Sequence, residues 1–334
     1  MRIFKNANYN FIRWRWHALI ASVVIIWAGV GTIFLRGGIP MGIEFRGGAA
    51  VVVQFNTPVT DDEVRRAVEP VSREVQVQDY KGGSGSNQVL IRIPMAEGAA
   101  ESQMLDSGAT QIEDALKAAN LGAISPPVSA DVIGPSVGSD LRTKGIWATV
   151  AALGGILVYV AFRFRPAFAV GAVVAAFHDI LITLVFLTWF HYDLTLNIIA
   201  ALLTITGYSV NDTIVVFDRV RENQKSMRRI PLDQIVNTSV NQTLGRTVIT
   251  SSATLLAVLA LYLLGGEVLR GFAFTMIIGV ITGTYSTVFI AAAIAIILTR
   301  RSSGPTQAPA VLPKTSAGPA KAPAPAAKTR RASA

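Results

Sequence analysis

The sequence predicts an α-helical polytopic membrane protein with six transmembrane helices and a small α+β domain on the outer side. Three observations carry that prediction. First, the 334 residues are 51% hydrophobic and only 15% charged, with a mean hydropathy of +0.46, outside the range of soluble globular domains. Second, six segments are long and apolar enough to cross roughly 30 Å of hydrocarbon, which takes about 20 residues of helix. Third, one topology places nearly every lysine and arginine of the short connections on the same side of the membrane.

The elements follow in order. An arm, 1–16, carries Arg2, Lys5, Arg13 and Arg15. Residues 17–35 form the first predicted helix. A signal peptide is the alternative, but the apolar part is longer than a typical signal core and GGIPMGIEF is a poor small-residue cleavage site. A retained membrane anchor is therefore expected. Five more apolar stretches, 146–162, 166–190, 194–217, 247–264 and 272–298, follow after a gap of 110 residues. With a cytoplasmic N-terminus, Arg163, Arg165, the basic run from Arg219 to Arg229 and the basic end of the chain all lie on the cytoplasmic side. Only Arg142 and Lys144 sit awkwardly, just outside the second helix.

The gap, 36–145, has the composition of a folded domain. Between Arg36 and Asp140 it holds eight basic and fourteen acidic residues, so it is acidic in a chain whose net charge is +9. GGAAVVVQF reads as a strand. TDDEVRRAVEPV reads as a helix with a Thr cap and early acids. EVQVQDY and QVLIRIPM alternate as strands do, with GGSGSN as the turn between them. SGATQIEDALKAAN has helical spacing, and PPVSADVIG completes the set as a strand. Strand, helix, strand, strand, helix, strand is the ferredoxin-like order. At the other end, 299–334 is rich in Ala, Pro, Lys and Ser and predicts a disordered basic cytoplasmic tail. Such a tail fixes topology, or touches anionic lipid or an acidic partner. The basic balance as a whole reports topology, and no nucleic-acid binding is expected.

With no cysteine in the chain, a disulfide framework, thiolate metal site and cysteine nucleophile are excluded. The three histidines are scattered, no phosphate loop or nucleophile elbow is present, and neither a metal nor a cofactor is expected. The sharpest candidate is Asp212, in GYSVNDTIVVFDR. An acid inside a span costs about 2.5–3.5 kcal/mol on insertion scales and usually faces a bundle interior or an aqueous cavity. It lies about 9 Å of helix before Asp218, too far for a short side chain to reach water. Asn197, Thr204, Tyr208 and Asp212 share one helical face, with Asn211 flanking it. Arg246 lies at a matching depth in the fifth stretch, beside Thr243, Thr247, Thr250 and Thr254. Asp212 and Arg246 are thus expected to couple, with Tyr208, Thr204, Asn211, Thr247 and Thr250 in support. In the third stretch the His178–Asp179 pair and Thr183 lie mid-membrane, either as a structural hydrogen-bonding group or in proton movement. Thr275, Gly279, Thr282 and Ser286 share a face of the sixth, where Gly279 and Gly283 suit close helix packing. Two membrane acids also raise an intramembrane aspartyl protease, but the GxGD signature is missing before Asp212.

The stretches GIEFRGG (42–48), DVIGPSVGSDL (131–141), FHDILIT (177–183), GYSVNDTIVVFDRVREN (207–223) and TLGRTVITSSATLLAVLALYLLGG (243–266) carry a resemblance. In this order and topology the chain resembles the SecF branch of the SecD/SecF protein-export family, within the resistance-nodulation-division superfamily. Two positions depart from the family pattern: Glu44 stands for the usual aspartate, and Arg46 follows the Phe. The resemblance implies a multi-pass protein of the bacterial plasma (inner) membrane with both termini cytoplasmic. It implies SecD as partner in a twelve-helix unit, association with the SecYEG translocon, with YajC and YidC as further candidates, and handling of unfolded preprotein among the membrane lipids. It implies use of the proton or sodium gradient, with ion coupling carried onto Asp212 and Arg246, and no enzymatic reaction. A non-conducting scaffold subunit and a half-size lipid or drug exporter are the alternative readings.

Overall fold

The computed structural model describes residues 7–72, 75–79, 87–94, 107–121 and 129–302. The predicted tail and the GGSGSN turn fall almost wholly outside them. Among the described residues, six helices are long and apolar enough to cross a membrane: Phe11–Leu35, Ser136–Arg163, Pro166–Trp189, Leu196–Ser226, Leu232–Leu264 and Val268–Arg301. They are called spans one to six.

Span one is a 3₁₀ turn, Phe11–Trp14, running into α1 (Arg15–Leu35). Span two is α5 (Pro135–Arg163) and span three α6 (Pro166–Trp189), each opening on a proline at the one helical position where its missing N–H is no loss. Span four is α7 (Leu196–Ser226), whose Thr195 cap accepts from the Ile198 N–H. Span five is α8 (Leu232–Leu264). Span six is α9 (Gly266–Ser286), a π-helical turn at Thr287–Ala291, and α10 (Ala292–Ser302).

Several helices outrun the apolar stretches that announce them. The 31 and 33 residues of α7 and α8 make helices of about 46 and 50 Å at 1.5 Å per residue, more than a bilayer core requires. Their polar ends stay helical because they pair: Asn223 Nδ2 donates to Ser239 Oγ (2.8 Å) and Gln242 Oε1 (2.9 Å). The N-terminal arm docks on the same hairpin. The Tyr9 N–H donates to Asn241 Oδ1 at 2.9 Å, and Asn241 Nδ2 returns a bond to the Tyr9 carbonyl. Nearby, Asp233 accepts from Arg15 (2.9 Å) and Arg300 (2.8 Å), clamping the ends of spans one, five and six.

Burial sorts the spans into two layers. In their most apolar stretches, 56, 50 and 67% of the residues of spans three, four and six are buried, against 11, 6 and 11% for spans one, two and five. The inner three approach closely because their contact residues are small. A methyl group on Gly279 would strike Ile205, and one on Gly283 would lie 3.0 Å from Ser209 Cβ. One on Gly171 would lie 2.7 Å from the Ala291 carbonyl, beside the π turn.

The domain between spans one and two contains α2 (Ile43–Arg46), β1 (Gly48–Gln54), α3 (Asp61–Val68), β2 (Gln76–Asp79), β3 (Gln88–Pro94), α4 (Ser107–Ala118) and β4 (Ser129–Ile133). The sheet order is β2-β3-β1-β4, all antiparallel, as the ferredoxin-like prediction requires. Val64 and Val68 of α3 and Ile112 and Leu116 of α4 bury one sheet face with Val51, Val53, Val89 and Ile91. The other face, Ala50, Val52 and Leu90, packs on Ile43. This two-sided cover explains why β1 is apolar throughout rather than alternating. Thr60 and Glu63 form a reciprocal capping box at the start of α3.

The domain is fastened to the bundle. The Gly42 N–H donates to the Leu194 carbonyl (2.9 Å), and the Leu194 N–H donates to the Pro40 carbonyl (2.7 Å). On α5, a methyl on Gly138 would lie 3.0 Å from the Gly47 nitrogen and 3.3 Å from the Phe45 carbonyl. The GIEFRGG and DVIGPSVGSDL stretches therefore meet at one junction, where the sheet feeds into spans two and four.

Candidate functional site

Asp212 sits on α7 where spans four and five face each other, and only 5% of it is exposed. Thr247 Oγ1, from span five, donates to Asp212 Oδ1 at 3.2 Å. Asp212 Oδ2 is buried with no hydrogen-bond donor among the described residues. A buried carboxyl oxygen without a donor is costly.

The structure brings some predicted residues together and separates others. Thr247 lies against Asp212, while Arg246, the residue before it, is exposed and forms no ion pair with Asp212. Tyr208 Oη donates to Ser251 Oγ (3.2 Å), which lies 2.8 Å from Thr284 Oγ1, so spans four, five and six share a polar link one turn from Asp212. Asn211 and Thr204 are exposed, and the Thr204 hydroxyl is spent on the Ala200 carbonyl of its own helix. Thr250 likewise donates to the Arg246 and Thr247 carbonyls. Arg246, Asn211, Thr204 and Thr250 therefore form a polar outer flank, and the inner group is Asp212, Thr247 and Tyr208.

Asp179 is the second centre. It is fully buried on span three. Its Oδ2 accepts from Ser209 Oγ of span four (2.5 Å) and Ser286 Oγ of span six (2.7 Å). Its Oδ1 lies 3.0 Å from His178 Nδ1. Two hydroxyls donate to one oxygen and the His178 ring lies within hydrogen-bond distance of the other, so both oxygens of this buried carboxyl have partners. The set continues outward: His178 Nε2 is 2.9 Å from Ser22 Oγ of span one, Ser22 Oγ is 3.1 Å from Tyr285 Oη, and Tyr285 Oη donates to the Ala18 carbonyl (2.7 Å). One buried polar network thus ties spans one, three, four and six. Asp179 and Asp212 are linked through span four, since Ser209 lies three residues before Asp212.

Sequence reasoning missed Ser22, Ser209 and Tyr285 as members of this network. Ser22 had a weak signal, as the single serine in the apolar run from Ala18 to Leu35. The π turn had none. It begins at Thr287, directly after Ser286, and Thr287 Oγ1 lies 2.9 Å from Thr213 Oγ1. Such turns re-aim side chains within a helix and concentrate at functional positions. Among the described residues, no group of three or more His, Asp or Glu is placed to hold a metal ion.

Residues 112–301 match the family described as protein export membrane protein SecD/SecF, C-terminal. The chain is 39% identical over 310 residues to the protein translocase subunit SecF of Rhodothermus marinus, covering 91% of this chain and 97% of that protein. It is 40% identical over 289 residues to the corresponding subunit of Escherichia coli O157:H7, covering 86% and 87%. The crystal structure of SecDF, a translocon-associated membrane protein from Thermus thermophilus, superposes with a TM-score of 0.76 at 34% identity over 90% of this chain. SecDF in its super-membrane-facing form gives 0.65 at 34% identity over 89%. In both cases the chain spans 40% of the length of the SecDF polypeptide.

Proposed function

The chain belongs to the SecD/SecF family of protein-export membrane proteins, on its SecF side, and from that premise we propose that Asp212 is the group through which it couples an ion gradient to protein export. The observation that carries the proposal is the asymmetry of that carboxyl. One oxygen is held by Thr247 and the other is buried without a donor among the described residues. A proton completes such a group, and its loss leaves a charge that must find a partner.

Arg246 is the partner we assign. It lies one residue from Thr247 on the facing helix, and its side chain is exposed. Asp212 then has two arrangements: held by Thr247, as here, or paired with the Arg246 guanidinium. Switching between them shifts spans four and five relative to each other. Span four begins at the Leu194 junction with the outer domain, so the shift has a direct mechanical route to that domain. A proton crossing 100 mV supplies about 2.3 kcal/mol from the potential alone.

The exposed polar flank at Arg246, Asn211, Thr204 and Thr250 would be poorly placed in lipid. We propose that a SecD subunit covers it, completing a unit of SecDF type. In the same reading the protein lies in the bacterial inner membrane with both termini cytoplasmic, associates with the SecYEG translocon, and performs no chemical reaction on the preprotein. Its basic connections support that orientation.

The deciding experiment is gradient-dependent export in vesicles containing the translocon, SecD and either the wild type or Asp212→Asn. Asn keeps size and polarity and cannot titrate. We expect the complex to assemble and the gradient-dependent part of export to vanish. Wild-type rates would leave the chain a scaffold.

A further inference from the structure

Five helix ends surround a cavity of about 760 Å³ on the face of the bundle that carries the basic connections. Its floor is apolar: Phe168, Phe217 and Ile235 are buried, with Met227 and Leu232 beside them. Its rim is cationic, formed by Arg163 and Arg165 from the second connection and by Arg221, Lys225 and Arg228 from the end of span four.

The local acids are already committed. Asp218 pairs with Arg163 (2.7 Å), Glu222 with Arg219 (2.6 Å), and Asp233 with Arg15 and Arg300. Among the described residues, no acid lines the cavity. Arg165, Arg221, Lys225 and Arg228 form no ion pair among the described residues, and all four are exposed. Spans three and five also begin here, directly after Arg165 and Pro231, so two positive helix ends add to the field. Charges that only fixed topology would have no reason to ring an apolar hollow. A soluble polyanion would have no use for the phenylalanine floor. The depth argues the same way, because Phe164, Phe168 and Phe217 mark the level at which the apolar stretches end.

We propose that this cavity binds one anionic phospholipid, its phosphate held by Arg165, Arg221, Lys225 and Arg228 and its acyl chains laid over Phe168 and Phe217. Basic pockets between membrane helices recognise lipid headgroups through this combination of charge and apolar contact. The site is separate from Asp212 and does not depend on the coupling proposal. A lipid there bridges spans two, four and five beside the Arg163–Asp218 pair, which already joins spans two and four.

Native mass spectrometry of the full chain, titrated with phosphatidylglycerol and with phosphatidylcholine, tests this. Two triple variants of equal charge are compared: R165Q/R221Q/K225Q at the cavity, and R13Q/R229Q/R301Q elsewhere on the same face. All six positions are exposed, and equal melting in phosphatidylcholine checks that both fold. The wild type and the second triple should retain one phosphatidylglycerol with at least about tenfold preference, and the cavity triple should lose that preference. Equal loss in both triples would reduce the effect to general surface charge and overturn the site. So would full retention by the cavity triple. Displacement of the lipid by inorganic phosphate or by an oligonucleotide would assign the cavity to a soluble anion instead.

Discussion

Ser209 donates a 2.5 Å hydrogen bond to Asp179 Oδ2 from a position three residues before Asp212 on the same helix. The two membrane acids are therefore not independent. A shift of span four that changes the setting of Asp212 must also stretch or keep the Ser209–Asp179 bond. Asp179, with partners on both oxygens, resists movement, while Asp212, with one donor, permits it. In the coupling we propose, the first is the fulcrum and the second the titrating site.

Removing the Ser209 hydroxyl tests the fulcrum. Ser209→Ala leaves Asp179 Oδ2 with Ser286 as its one hydroxyl donor. The loss should be about 1–3 kcal/mol of stability, read as a lower melting temperature in detergent. Ser286→Ala should cost a similar amount, and the double variant should exceed either. No change in either variant would show that water replaces the hydroxyl and that the network is not sealed.

Arg246→Lys tests the switch. Lys keeps the charge but not the guanidinium fork. Gradient-dependent export should fall well below wild type at normal complex levels. Full activity would mean that the site asks only for positive charge, and the paired second arrangement proposed for Asp212 would be wrong.

Much of this was legible in the residues, and the rest was not for definable reasons. Alternation and turn chemistry foretell the order of the outer domain because its strands and helices are local features. Asp212 stands out because a carboxylate amid LTLNIIAALLTIT and TIVVF violates an otherwise apolar run. Depth matching brings spans four and five together, and Thr247 does meet Asp212. Depth does not fix rotation, so Arg246 could be matched in level and still point outward. The Ser22–His178–Asp179 network joins residues 156 positions apart, a separation at which no sequence period operates. Helix ends were read short because hydropathy stops at Phe217 while side-chain pairing carries the helix on to Ser226.

The capping box of α3 gives a pH prediction. Hydrogen bonds from the Thr60 backbone and side chain hold the Glu63 carboxyl below the usual carboxylate range, with a smaller contribution from Arg66. A group depressed in the folded state stabilises above its unfolded pKa and loses that contribution as pH falls through the folded value. Glu63→Gln should therefore unfold the outer domain more readily than wild type near neutral pH. The gap should narrow only below about pH 4. A gap that does not change with pH would mean that the side chain acts by packing.

The outer sheet has two edges, β2 and β4, and among the described residues β4 pairs only with β1. An edge strand offers unpaired backbone groups to any extended chain, which is what an emerging, unfolded polypeptide presents. Recognition by backbone pairing is indifferent to sequence, so we expect weak and similar binding of unrelated unfolded peptides. Ser129 and Ala130 are exposed on β4. In an antiparallel edge strand successive N–H groups alternate between the ladder and the open side, so only one of these two donates to β1. Proline at that residue should destabilise the domain. Proline at the other removes an outward donor and should leave the fold intact. The test uses the full chain in nanodiscs, with peptide binding followed by fluorescence anisotropy beside a melting curve. One of Ser129→Pro and Ala130→Pro should melt as wild type and bind peptide more weakly. If the variant that keeps its fold binds as well as wild type, β4 is not the docking edge. A tight preference for a single peptide or a small molecule would argue against backbone recognition altogether and favour an exporter.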